Sequence, residues 1–292
     1  MRHHTLTTAL CLMMSSAMAL AADAPPPGGG GAATMPPPEG QAKQRIEKSP
    51  RHGEYVDIQV PGGRAPLRSY VVYPERKEKA PVVIVIHEIF GLSDWVKSVA
   101  DQLAADGFIA IAPDMLSGQG KDGGGTDSLG GRDEITKAVR GLKSDDVAKA
   151  LDAVREYGKK LPASNGKTGV IGFCWGGARS FEYATHQPAL DAAVVYYGTS
   201  PDAAALERVR APVLGLYGSD DARVNATVPP AQEAMKKANK SYTVHTYEGA
   251  GHGFLRQQEG REANLKAAQQ AWPETIKFLR EHTKDGKEAK SP

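Results

Sequence analysis

Cysteine is nearly missing from this chain. Two occur in 292 residues, Cys11 and Cys174. That excludes a disulfide-stapled scaffold, and no His/Cys/Asp cluster has the spacing of a zinc site. An excess of one charge is missing too. Lys and Arg number 36, Asp and Glu 34, and the formal net charge is +2. No strong field follows, so neither nucleic acid nor an anionic membrane is an expected partner. A long apolar run is also lacking. Residues 5–20 are apolar and uncharged but short for a transmembrane helix. There is no internal repeat and no phosphate-binding glycine motif. What remains is ordinary globular composition, 40% hydrophobic and 24% charged, with length for one large core.

The two ends read as separate from that core. Met1-Arg2-His3-His4 is a short basic start, the apolar run follows, and Ala19-Leu20-Ala21 fits the small-x-small cleavage rule. Residues 1–22 therefore read as a secretory signal peptide, cut after Ala21 or Ala22, and the mature protein is expected in the periplasm or outside the cell. Cys11 leaves with it. The mature chain then keeps Cys174 alone, with no intramolecular disulfide. A lone thiol in an oxidising compartment is a liability unless it is used or buried. Residues 23–50 are rich in Pro, Gly and Ala and read as a disordered linker. Residues 284–292 read as a solvated tail, which leaves 51–283 as one domain.

Within it, residues 55–60 alternate apolar and polar, and residues 67–73 form a second strand after the Pro61-Gly62-Gly63 turn. Residues 81–86 are continuously apolar, as a strand buried on both faces requires. Strand and helix patterns then alternate to the end, with a glycine-rich insertion over 115–142 that reads as a flap near the site. This rhythm predicts a mostly parallel sheet covered on both faces, with functional residues at the carboxyl ends of its strands.

One stretch organises the rest. Val170 and Ile171 belong to a buried strand, Gly172-Phe173-Cys174-Trp175-Gly176 follows, and a helical run comes after. Gly-x-nucleophile-x-Gly between strand and helix is a nucleophile elbow, here with cysteine at its centre. The following helix start would stabilise negative charge on sulfur or on a reacting oxygen. Asp221 and His252 each come directly after a later predicted strand. Nucleophile, acid, histidine is the chain order of α/β-hydrolases. Asp220 is the rival to Asp221. The latter fits the spacing Gly218-x-x-Asp221-x-x-Val224. His252 would activate the thiol and Asp221 would hold its tautomer. The N–H of Trp175 and that of Ile89 are the candidate oxyanion donors.

The elbow, His87-Glu88-Ile89-Phe90-Gly91 and Gly251-His252-Gly253-Phe254-Leu255-Arg256 together resemble the dienelactone hydrolase family. Lys159-Lys160-Leu161-Pro162, Asn165-Gly166-Lys167 and Tyr196-Tyr197-Gly198 add to the resemblance, which runs from about residue 55 to 282. It implies an α/β-hydrolase fold and carboxymethylenebutenolidase-like hydrolysis of a small ester or lactone; a monomer is expected, and the missing zinc spacing and phosphate motif lead to the expectation of no cofactor and no metal. It also implies that Glu88 interacts with the resting cysteine and that Arg256 takes a substrate carboxylate. Arg132 or Arg140 could supply a second substrate arginine. Two departures stand out, the glycine-rich segment and the export signal on a family whose type enzyme is cytoplasmic. A general carboxylesterase or peptidase on the same fold, and a binding protein without catalysis, remain alternatives.

Overall fold

The computed structural model describes Met1, residues 35–63 and residues 65–284. The signal peptide expected over residues 1–22 lies, after Met1, outside the described residues, as does the tail after Lys284.

Eight strands form one sheet: β1 Gly53–Ile58, β2 Leu67–Val72, β3 Ala80–Ile86, β4 Ile109–Pro113, β5 Ser164–Phe173, β6 Ala192–Tyr196, β7 Val213–Asp220 and β8 Tyr242–Gly251. Their order is β1-β2-β4-β3-β5-β6-β7-β8. β1–β2 and β2–β4 pair antiparallel, and every later pair is parallel. This is the α/β-hydrolase fold.

The apolar run in β3 serves both faces at once. Val83 and Val85 point to one hydrophobic layer, Val82, Ile84 and Ile86 to the other. Helices α2 Asp94–Ala105 and α9 Glu262–Thr283 cover the first layer. Helices α4 Ser144–Lys160, α5 Trp175–His186 and α8 Val228–Lys237 cover the second. Each fully buried Val, Leu or Ile contributes roughly 1.5–3 kcal/mol of apolar transfer. Ser93 caps α2 through its side chain, which accepts from the Val96 N–H at 3.4 Å, a long but correctly placed cap. α9 runs unbroken through Pro273. Among the described residues no helix is long and apolar enough to cross a membrane.

The expectation of a linker over 23–50 does not hold for residues 35–50. Helix α1 Ala42–Glu47 lies there, with Ala42 buried in the core. Trp95 Nε1 donates to the Pro37 carbonyl at 3.1 Å, and Gln258 Nε2 donates to the Pro36 carbonyl at 2.9 Å. Proline lacks an N–H but keeps its carbonyl, and these two carbonyls are what the domain binds. Arg51 then locks the segment's end onto Asp101, with Nη2 at 2.6 Å and Nε at 2.9 Å.

The glycine-rich insertion is likewise tied down. It contains helix α3 Arg132–Arg140. Thr126 donates to Asp114 from its N–H and from Oγ1, both at 2.7 Å, and accepts from the Leu92 N–H at 3.0 Å.

Candidate active site

The elbow is built by crowding. A Cβ on Gly172 would meet the Gly176 carbonyl oxygen at 1.9 Å, and one on Gly176 would meet the Ile86 oxygen at 2.3 Å. Only hydrogen fits at either position, so the chain can turn from β5 into α5 within one residue. Cys174 takes the strain, with φ 56° and ψ −114°. A non-glycine residue held at positive φ is costly and points to an over-determined, functional position. The residue after it, Trp175, opens α5. Its N–H is among the first of the helix, which have no partner within it, and it lowers the pKa of the neighbouring thiol.

The sheet order β5-β6-β7-β8 brings the carboxyl ends of these strands side by side. Asp221 follows β7, and His252 follows β8. His252 Nδ1 lies 2.5 Å from Asp221 Oδ2. A carboxylate only accepts, so Nδ1 carries the proton and Nε2 is left for the reacting centre. Asp221 also accepts from the Val224 N–H at the start of helix α7 Ala222–Asn225. Asp220 faces the other way and pairs with Arg261 Nη1 at 2.7 Å on the surface. Tyr197 stands against the His252 ring at 5.2 Å, edge to face.

Glu88 is buried, and Arg256 Nε lies 2.6 Å from its Oε2. The N–H at Nε is not aimed along that line, so the two meet as charges in contact, not through a linear hydrogen bond. Burial pushes Glu88 up to about 7, and the Arg256 guanidinium pulls against that shift. Burial also pushes the Cys174 thiol up, with the Glu88 carboxylate adding to it, to about 11. The Trp175 N–H, Arg223 and Arg256 oppose the rise. At rest the thiol is protonated. The Ile89 carbonyl accepts from Thr136 Oγ1 at 3.3 Å, which ties the Glu88-Ile89 turn to α3.

Arg256 is not open to solvent. Besides Glu88 it contacts Glu39, through Nη1 and Oε2. Arg132 approaches the same Glu39 carboxylate at 3.9 Å, whereas Arg140 sits in the last turn of α3, away from this contact. Among the described residues no group of three or more His, Cys, Asp or Glu side chains is placed to hold a metal ion.

Two residues were given no role by sequence reasoning. His87 is fully buried. Its Nδ1 donates to the Glu88 carbonyl at 2.7 Å, its Nε2 accepts from the Met115 N–H at 3.3 Å, and burial holds its pKa down, so the ring is neutral. It stacks on Trp175 at 5.4 Å and so braces the Glu88-Ile89 turn against the elbow. Tyr197 is buried at φ 37° with its hydroxyl unpartnered. The positive φ follows a strand end as it does at Cys174, but nothing in Tyr-Tyr-Gly announces it.

The sequence model of the dienelactone hydrolase family matches residues 67–283. This chain belongs to the dienelactone hydrolase family. A Saccharolobus solfataricus protein named "Putative carboxymethylenebutenolidase" is 30% identical, over 75% of this chain and 96% of its own length. A Methylorubrum extorquens protein of the same name is 31% identical over 68% of this chain and 71% of its own. Among solved structures, a dienelactone hydrolase homologue from Klebsiella pneumoniae superposes with a TM-score of 0.67 at 27% identity, covering 78% of this chain and 98% of that one. As a dienelactone hydrolase family member, the chain is a carboxymethylenebutenolidase-like hydrolase acting on a small molecule. Glu39 lies outside the span that the family model matches.

Proposed function

We propose that the protein hydrolyses an ester or lactone through Cys174 as nucleophile. The observation that carries this reading is the strained Cys174 at the elbow, φ 56°, with a hydrogen-bonded Asp221–His252 pair two and three strands along the same sheet edge. A thiol at a helix start needs a base to react near neutral pH, and His252 Nε2 is the free nitrogen. The sulfur attacks the carbonyl carbon and its proton passes to His252. Asp221 favours the imidazolium so formed. The Trp175 and Ile89 amides receive the oxyanion. The imidazolium then protonates the leaving oxygen. Water, deprotonated by His252, cleaves the thioester and frees the thiol. Glu88 keeps the thiol protonated until substrate arrives, which spares a lone cysteine from oxidation.

The test is turnover of an ester and lactone panel by the protein and by Cys174→Ala. Hydrolysis should vanish in the variant with an unchanged fold by circular dichroism, and Cys174→Ser should keep at most a trace. Undiminished turnover by Cys174→Ala ends the assignment. Export belongs to the same proposal. Mass spectrometry of the protein recovered from an exporting host should find residues up to Ala21 or Ala22 removed.

A further inference from the structure

Two guanidinium groups flank the ring of Phe90, two residues beyond Glu88. Arg132 Cζ lies 3.9 Å and Arg256 Cζ 5.0 Å from the Phe90 ring centroid. Arg256 acts on the Cys174 thiol, and a second arginine converging on the same ring would be expected to help it grip an acidic substrate, because a guanidinium fork matches a carboxylate. Here the place is taken. The Glu39 carboxylate spans them, Oε2 on Arg256 Nη1 and Oε1 3.9 Å from Arg132 Nη2.

Glu39 is not a loose surface side chain that happens to reach over. Its N–H donates to the Arg256 carbonyl at 3.1 Å, so the same residue is tied by backbone and side chain. Trp95 and Gln258 hold the prolines just before it, and Gln41 Nε2 donates to Glu259 Oε1 at 2.8 Å just after. The charges then match. Arg132 and Arg256 face Glu39 and Glu88, two cations against two carboxylates when Glu88 is ionised. A third carboxylate brought by a substrate would find both of these guanidinium groups already engaged and would meet the Glu39 charge in a partly buried site.

We propose that Glu39 is a specificity-determining residue: its carboxylate stands where an acidic substrate's would bind Arg256 and Arg132, so the site selects esters or lactones that carry no carboxylate. The proposal rests on the hydrolase reading given above and narrows its substrate class.

The experiment compares 4-acetoxybenzoate with 4-acetoxybenzamide, which differ in charge and hardly in shape, on the full chain and on Glu39→Gln. The readout is the ratio of kcat/KM for the acid over the amide. Glu39→Gln should raise it about tenfold, equivalent to about 1.4 kcal/mol, chiefly through KM of the acid. Glu39→Asp keeps the charge and should keep the low ratio. An unchanged ratio in Glu39→Gln overturns the proposal. So does an equal rise for both substrates, which would make the segment a cover over the site. Glu39→Ala repeats the test if the glutamine variant is poorly folded. Should the protein cleave neither ester, the hydrolase reading fails separately. Calorimetric binding of 4-hydroxybenzoate against 4-hydroxybenzamide then decides the role of Glu39. Gain of acid binding in Glu39→Gln supports it, and equal affinities in both proteins refute it.

Discussion

Arg256 Nε lies 2.6 Å from Glu88 Oε2, and both side chains are buried. The pair is unequal. Burial raises the Glu88 carboxyl to about 7 even with the guanidinium beside it, so near neutral pH it stands at its own midpoint. Arg256 is pulled down by burial but held above its usual value by Glu88 and Glu39. The charge on Glu88 reaches Cys174, and two measurements should register it.

Alkylation of Cys174 should be slow and steeply dependent on pH. With burial and Glu88 holding Cys174 at about 11, roughly one thiol in 10⁴ is ionised at pH 7. The iodoacetamide rate constant should rise about tenfold per pH unit from pH 7 to 10. Glu88→Gln removes the opposing charge and should speed alkylation at pH 8. A rate plateau below pH 8 in the unaltered protein, or superimposable profiles for the two proteins, would remove Glu88 from control of the thiol.

Stability should fall as Glu88 ionises. Its folded pKa is raised, from 4.5 to about 7, so the folded state holds a proton that the unfolded state has released. Stability from this group is fully present below 4.5 and is lost as pH rises through about 7. The loss amounts to about 3 kcal/mol by linkage. Urea unfolding at pH 4.5 and pH 8 should therefore separate the protein from Glu88→Gln by that amount more at pH 8, in favour of the glutamine. Parallel pH profiles would place the Glu88 midpoint near an ordinary carboxylate.

Much of this site could be read in the chain because its determinants are local. Gly172 and Gly176 lie within five residues of one another and declare the elbow by themselves. The apolar run of β3 declares a two-faced strand, and its end locates Glu88 and Ile89. Other parts depend on partners far along the chain. His87 needs the Met115 N–H, 28 positions away, before its ring has a role. The choice between Arg132 and Arg140 depends on which end of α3 reaches Phe90, and spacing does not decide that. Pro36 and Pro37 look like linker because they bring no large apolar side chain. Their carbonyls dock on Trp95 and Gln258, 58 and 222 positions away. Glycine content suggests a loose flap over 115–142, yet one carboxylate, Asp114, stitches it through Thr126.

The segment before the sheet should contribute to stability, which a linker would not. Asp101 is 2% exposed and Arg51 7%, with two hydrogen bonds between them. Ser49 and Arg45 converge on the same carboxylate. Removing one partner of a buried pair strands the other's charge and costs about 3 kcal/mol or more. Asp101→Ala should lower the urea midpoint accordingly, and proteolysis should then reach residues 35–50 before the rest. A shift below about 0.5 kcal/mol, the range of ordinary surface changes, would mean that the segment is held weakly.

Two adjacent aspartates offer the sharpest test of the catalytic assignment. Asp221 is buried and accepts from His252 Nδ1 at 2.5 Å, while Asp220 is exposed and holds Arg261 at 2.7 Å. Asp221→Asn keeps the shape but offers an amide that can donate to Nδ1, and so favours the tautomer with Nε2 protonated. That nitrogen could no longer take a proton from the thiol. In a serine triad the equivalent change costs about 10⁴ in kcat. A thiol needs less help from its base, so a loss of at least about 10² is expected here. Asp220→Asn breaks an exposed ion pair, worth at most about 1 kcal/mol, and should leave kcat within about twofold. The pH profile separates orientation from folding. Asp221→Asn should depress kcat across the whole range, because the wrong tautomer is present at every pH where the ring is neutral. If both asparagine variants lose activity alike, the acid is not assigned by the hydrogen bond to His252. If Asp221→Asn keeps full kcat, His252 needs no orienting carboxylate and the three-residue mechanism fails.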